Sequence, residues 1–211
     1  MTEGRVARIA EIVGAVARQA LADRGAHHVA LLDDGGPEAE LAARLLGSTL
    51  GAERVIRVTS ADGEVESVLH LASGNADRLG EELRRLRARM TADAVPAHPG
   101  NKTVLLLGGE LPPEPLLPLG DLWATDVAEL AGDWSAPPEV RRIAALAGGI
   151  EALDTALRRW ADGRDAAALD ALPAQAAEAV ARALAAGRAS RLNPRIVPKI
   201  GTRTLGVDLF E

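Results

Sequence analysis

The stretch Val29-Ala30-Leu31-Leu32-Asp33-Asp34-Gly35-Gly36-Pro37-Glu38-Ala39-Glu40-Leu41 limits the fold more than any other part of the chain. Val29 to Leu32 is a continuous apolar run, short enough for a strand buried on both faces. Gly35-Gly36 then allows a turn with positive φ and no side-chain bulk. Pro37 suits the first turn of a helix, where the helix dipole also favours Glu38 and Glu40. Leu41, Leu45 and Leu46 recur at helical spacing. Strand, glycine pair and helix N-terminus together have the shape of a loop that cradles phosphate. The chemistry points the other way. Asp33 and Asp34 put negative charge where phosphates would lie, and Pro37 removes one N–H donor.

The rest of the chain extends this unit. Arg5 to Ala22 is predicted as an amphipathic helix with Val6, Ile9, Val13, Val16 and Ala20 on one stripe and Gly25 as its stop. Arg54 to Val58 reads as a second strand, which completes a βαβ unit and favours a parallel sheet. Val65 to Ala72 suggests a short helix. Asp77 to Met90 suggests a longer one, with Arg84, Arg85, Arg87 and Arg89 on its polar faces. Thr91 to Gly100 reads as a loop, and Thr103 to Leu107 as a third strand ended by Gly108-Gly109. Pro112, Pro113, Pro115 and Pro118 exclude regular structure up to Leu119. Asp121 reads as the cap of a helix running to Ala131, with Gly132 as its stop. Further helices are expected after Pro137-Pro138, over Glu151 to Ala161 and over Ala174 to Ala186, before an extended tail from Thr202 to Asp208.

Strands alternating with helices argue for an α/β fold, a three-layer parallel sheet with flanking helices. The expected layout is one unit over 1–211: an N-terminal helix over 5–22, a sheet core over about 28–131, and C-terminal helices and tail over 138–211. Open sheets of this kind bind ligands at the carboxyl ends of their strands. Gly35-Gly36 and Gly108-Gly109 both fall at such ends, so they are expected to converge, unless both pairs are simply tight turns.

Composition removes several functions. With 24 Lys and Arg against 30 Asp and Glu, the net charge is -6, and only 2% of residues are aromatic. Both disfavour nucleic-acid binding. There is no Cys, which excludes disulfides, thiolate nucleophiles and Cys-ligated metals. His27, His28, His70 and His98 show no helical metal-site spacing, and no metal ligand is assigned. No apolar run approaches a membrane span, and Arg5, Arg8 and Glu11 interrupt any signal-peptide pattern. The expected location is the cytoplasm.

Three motifs carry a family resemblance. Pro118-Leu119-Gly120-Asp121-Leu122-Trp123-Ala124-Thr125-Asp126-Val127-Ala128-Glu129-Leu130-Ala131 is similar to P-[IL]-G-D-L-[YF]-K-T-x-V-x-x-L-A of ammonia-dependent NAD synthetases. Pro194 to Asp208, with Pro198-Lys199 and Arg203-Thr204-Leu205-Gly206-Val207-Asp208, resembles that family's ending P-P-x-P-K-x-G-x-R-T-x-G-x-D. Leu86-Arg87-Ala88-Arg89-Met90 is similar to its A-R-x-R-M helix, and Leu32 to Leu46 lies where the family carries its pyrophosphate loop. The resemblance implies a reduced NAD-synthetase-like version of a Rossmann-like fold, related to the adenine nucleotide alpha-hydrolases, and a homodimer. It also implies a reaction in which Mg-ATP adenylates deamido-NAD and ammonia displaces AMP. ATP, magnesium and a dinucleotide are the ligands so implied.

The departures fall on the chemistry. The loop S-G-G-x-D-S is here Asp34-Gly35-Gly36-Pro37-Glu38-Ala39. The lysine of the D-L-Y-K-T segment is Ala124, and the H-K-R before the tail is Ala189-Ser190-Arg191. The family's N-K-S-E, whose Glu is a magnesium ligand, has two readings here. Either Asn101-Lys102-Thr103 is N-K-S with Val104 in place of the Glu, or Thr103 to Gly109 is the preceding strand and the segment is deleted; the second is preferred. The vestigial nucleotide-binding candidates are Gly35, Gly36, Glu38, Gly108, Gly109, Asp121, Thr125, Arg89, Arg191 and Lys199. No residue is assigned a catalytic role. The preferred reading is a degenerate member acting as a non-catalytic subunit or scaffold, in a homodimer or a heterodimer with an active paralogue or biosynthetic enzyme. The alternatives are a diverged nucleotide-binding enzyme and NAD synthesis by this chain alone.

Overall fold

The computed structural model describes residues 3–59, 93–107, 116–186 and 195–200. Helix α1 (Glu3–Arg24) leads into strand β1 (His28–Asp33), helix α2 (Pro37–Leu50) and strand β2 (Val55–Thr59). Strand β3 (Ala94–Ala97) precedes the short helix α3 (Lys102–Leu106). Helices α4 (Ala124–Ala131), α5 (Pro138–Leu146), α6 (Ile150–Ala161) and α7 (Ala174–Ala186) follow. The boundaries of α1 and β2 lie within two residues of those read from the sequence, and α7 coincides with its expected span. The short helix expected near Val65, the helix to Met90, and the tail from Thr202 lie outside the described residues.

The strands form one parallel sheet in the order β2-β1-β3. Val29 pairs with Val55 on one side and with Val95 on the other. Single parallel bridges continue the sheet outward from Ala97 to Leu116 and from Leu116 to Ile196. The order therefore reverses direction between β1 and β3. In doubly wound sheets that reversal opens a crevice at the carboxyl ends of the two strands.

Two apolar clusters hold the elements. One joins Ile9, Val13, Ala17 and Leu21 of α1 to Leu41, Leu45 and Leu46 of α2 over Val29, Leu31 and Val95 of the sheet. The other joins Leu105 and Leu106 of α3 to Ile143 of α5, Leu153 and Leu157 of α6, and Val180 of α7. No helix among the described residues is long and apolar enough to cross a membrane.

The third strand is not where the sequence placed it. Thr103 to Leu107 belongs to α3 and its C-cap, while β3 forms within the expected loop. Five β-compatible apolar residues can equally be a buried helical turn, and here the Asn101 Oδ1 settles it by accepting the Val104 N–H at 3.1 Å. Strand β3 was hidden by Pro96. Leu116 N–H donates to the Pro96 carbonyl at 2.8 Å, so the proline's nitrogen faces the side where pairing is only a single bridge. Asn101-Lys102-Thr103 thus follows the third strand, and Thr103 to Leu107 is not that strand, as the deletion reading required. The capping role of Asp121 is also corrected. Helix α4 begins at Ala124 with Trp123 as N-cap, and Asp126 Oδ2 accepts the Trp123 N–H at 3.1 Å.

Gly14 of α1 faces Thr49 of α2, and a Cβ on Gly14 would overlap the threonine side chain. Thr49 cannot easily turn away, because its Oγ1 donates to the Leu45 and Leu46 carbonyls, both at 3.2 Å. Gly14→Leu is expected to lower stability by about 1–3 kcal/mol through overpacking, read as a lower urea midpoint with an unchanged slope.

Candidate functional site

The β1–α2 loop forms one wall of the crevice where the strand order reverses. Gly35 takes φ +75°, which allows the chain to leave β1 and enter the helix. The Gly35 N–H donates to Asp33 Oδ1 at 3.0 Å, and the Gly36 N–H to Asp34 Oδ1 at 2.9 Å. Pro37 has no N–H, and the Glu38 carboxylate draws on its own backbone N–H. The donors that would cradle a phosphate are therefore taken by the loop's own acids. Space is taken as well. A Cβ on Gly36 would lie 2.7 Å from Ser135 Oγ and 2.9 Å from Asp34 Oδ1.

Glu38 anchors the opposite wall. It is 4% exposed and receives the Ser135 N–H at 2.8 Å and the Ser135 Oγ at 2.5 Å. Asn101 Nδ2 lies 3.4 Å from Glu38 Oε1. Burial pushes the Glu38 carboxyl above its usual range, against the lowering effect of the Ser135 bonds. Asp33 is shifted the other way. Arg57 Nε donates to Asp33 Oδ2 at 2.6 Å and holds that carboxyl below its usual range, against the opposing effect of burial. The crevice encloses about 310 Å³ between Asp34, Glu38, His98, Asn101 and Ser135. His98 Nδ1 accepts the Gly100 N–H at 3.0 Å, and burial lowers the imidazole's pKa, which favours the neutral ring.

Magnesium triphosphate does not fit this arrangement. Phosphate oxygens would have to displace two carboxylates from their amides and remain beside Asp34 and Glu38, at a cost set by like charge in a partly dry site. Among the described residues, no three His, Asp or Glu side chains gather as a metal site.

The other candidates are distributed elsewhere. Gly108, Gly109, Arg89 and Arg191 lie outside the described residues. Lys199 is exposed and lines neither this crevice nor the cleft described next. Asp121 is buried, accepts the Ile200 N–H at 2.7 Å and lies 3.5 Å from Lys102 Nζ. Thr125 belongs to a buried lock. Thr103 Oγ1 donates to Asp154 Oδ1 at 2.6 Å and accepts the Ala124 N–H at 3.0 Å, while the Thr125 N–H donates to Asp154 Oδ2 at 2.8 Å. Asp154 therefore caps α4 from α6, and Arg158 Nη2 closes the group by donating to Thr125 Oγ1 at 2.9 Å. Ser135, His98, Asn101, Asp154 and Lys102 were absent from the sequence-derived candidates. Of these, only Asn101-Lys102 carried a signal, as the start of the N-K-S reading.

A second cleft of about 450 Å³ opens between α1, α6 and the Asp121–Trp123 turn. Lys102 lies at its base, 2% exposed, with Nζ 2.9 Å from Asp162 Oδ1 and 4.8 Å from the centre of the Trp123 ring.

The parallel sheet with this strand order and flanking helices makes the chain a Rossmann-like α/β protein. Among solved structures it is similar to the NH3-dependent NAD synthetase from Campylobacter jejuni subsp. jejuni NCTC 11168 in complex with the nitrate ion. The TM-score is 0.52 at 16% identity, over 87% of this chain and 95% of that chain, and the likeness is one of fold. No protein-family model and no curated protein matches the sequence.

Three outcomes follow. The stabilising effect of Asp33 is present above the ordinary carboxylate pKa and is lost as pH falls through the depressed value. Asp33→Asn should thus cost stability at pH 7 and progressively less below about pH 5. Glu38 has the opposite sign, since its raised pKa penalises the folded state as pH rises. Glu38→Gln should therefore gain on the parent with rising pH, and urea midpoints from acid to neutral pH read both slopes. Asp154→Ala strands the Thr103 hydroxyl and the Thr125 N–H, and should cost about 2–6 kcal/mol, at roughly 1–3 for each buried donor, read as a lower urea midpoint.

Proposed function

We propose that this chain is a degenerate NAD-synthetase-like protein that acts through association, as a non-catalytic subunit or scaffold. The observation that carries the reading is the loop after β1, where Asp33 and Asp34 occupy the amides of Gly35 and Gly36. Two features support it. The fold is that of the Campylobacter jejuni NH3-dependent NAD synthetase, over nearly all of that chain. Position 104, where the resemblance expects a magnesium-binding Glu, is Val104, 7% exposed in the apolar cluster around α3. The expected setting is the cytoplasm, in a homodimer or beside an active paralogue or biosynthetic enzyme.

A second reading is a diverged enzyme that uses the same crevice for a ligand without a triphosphate. The crevice between Glu38 and His98 favours it, because two groups of opposite pKa displacement face one space.

Calorimetry of the purified chain with Mg-ATP, and separately with deamido-NAD, tests the first reading. The expected result is no saturable heat with either, and no ATP- and ammonia-dependent formation of NAD. Micromolar binding of Mg-ATP that Gly36→Val abolishes would overturn it.

A further inference from the structure

We infer that the crevice between the β1–α2 loop, His98 and Ser135 binds a small uncharged molecule that carries a primary amide. The inference rests on the second reading above, in which this crevice takes a ligand without a triphosphate.

The enclosed volume of about 310 Å³ is at the small end for a ligand site. Charge argues against ions of either sign. An anion would meet two carboxyl groups, Asp34 and Glu38, and no Lys or Arg in the lining. A cation would face the N-termini of α2 and α5, whose partial positive charge borders the space at Glu38 and Pro137. The acids offer it little in return. The Glu38 carboxyl group is already met by the Ser135 N–H and Oγ and by Asn101 Nδ2. Asp34 is exposed, where an ion pair adds little.

Unspent hydrogen bonds then define the ligand. His98 Nδ1 accepts the Gly100 N–H at 3.0 Å, so the neutral ring carries its proton on Nε2. That N–H has no acceptor among the described residues. Asn101 is 0% exposed. Its Oδ1 accepts the Val104 N–H, and one hydrogen of Nδ2 reaches Glu38 Oε1 over a long 3.4 Å. The other hydrogen has no acceptor among the described residues. An unspent donor at full burial is costly, and a ligand acceptor relieves that cost. Asp34 Oδ1 holds the Gly36 N–H, which leaves Oδ2 as an acceptor at the rim.

The crevice thus offers two donors, on His98 and Asn101, and one acceptor, on Asp34. A primary amide answers all three. Its carbonyl oxygen has two lone pairs for the donors, and its NH₂ has a hydrogen for the carboxylate. Pro99, Val104 and Pro137 supply stiff apolar walls for the body of the molecule.

Ligand-observed NMR titration of the intact chain tests this with benzamide. Benzoate, benzamidine and acetophenone have nearly the same shape and serve as controls for negative charge, positive charge and a carbonyl without N–H. The expected result is saturable binding of benzamide, tighter than any control. Asp34→Asn keeps an oxygen for the Gly36 N–H but turns the second oxygen into a donor. It should weaken benzamide about tenfold, roughly 1.4 kcal/mol. His98→Phe, which removes the Nε2–H and keeps a ring, should weaken it as much. Arg182→Ala, on the exposed face of α7, should bind as the parent does. Equal or tighter binding of acetophenone, or indifference of benzamide to both crevice variants, would overturn the inference. Saturable binding of benzoate or benzamidine in place of benzamide, altered by Asp34→Asn, would overturn the amide and keep the crevice as a ligand site. Silence from every probe at tens of millimolar would overturn both.

Discussion

Backbone amides at the end of a parallel strand must find acceptors, and at the end of β1 they find the loop's own aspartates. The rest of the crevice depends on that choice. Asp33 reaches the Gly35 N–H with one oxygen and the Arg57 guanidinium with the other, so it joins the loop to β2. Asp34 fixes the Gly36 N–H, and Gly36 then brings the start of α2 against Ser135. Ser135 in turn meets Glu38 with both its N–H and its hydroxyl. The helix N-terminus still attracts negative charge, as helix termini do, but the charge is covalently part of the chain.

A second group holds the outer half of the molecule. The start of α3 carries Asn101, Lys102 and Thr103, and each is committed to a different neighbour. Asn101 caps its own helix, Lys102 reaches Asp162 beyond α6, and Thr103 joins Asp154 of α6 to the first N–H of α4. Five residues of helix could not stand alone. These polar bonds, together with Leu105 and Leu106 in the apolar cluster, make the segment the junction between sheet and helices. The same junction leaves Lys102 at the base of the second cleft, so the packing of α3 also shapes that cleft.

Much of this was legible in the sequence wherever pattern and local chemistry agreed. Apolar Val29–Leu32, the glycine pair and Pro37 each favoured the same strand, turn and helix, and they form it. The misplacement of the third strand came from a genuine conflict. Ala94-Val95-Pro96-Ala97 has weak strand propensity and a proline, while Thr103 to Leu107 has the composition of a buried strand. Tertiary pairing and a capping Asn decided against propensity in both places. Asp121 preceded a helix and read as its cap, yet burial beside Lys102 gave it a different partner. The loop's acids were visible as a charge problem, but not its resolution. Glu38 is satisfied by a residue 97 positions away, and nothing local announces Ser135.

The fold shared with the Campylobacter jejuni NH3-dependent NAD synthetase thus frames a loop whose hydrogen bonds are internally closed. The most direct measurement is the amide resonance of Gly35 and Gly36 by NMR, followed through an acid titration and then on addition of inorganic pyrophosphate. If Asp33 and Asp34 hold these amides, both resonances will move as the carboxylates are protonated and will stay fixed when pyrophosphate is added at neutral pH. Amides that ignore the acid titration and shift on saturation with pyrophosphate would contradict the account, because the loop would then be an open phosphate site.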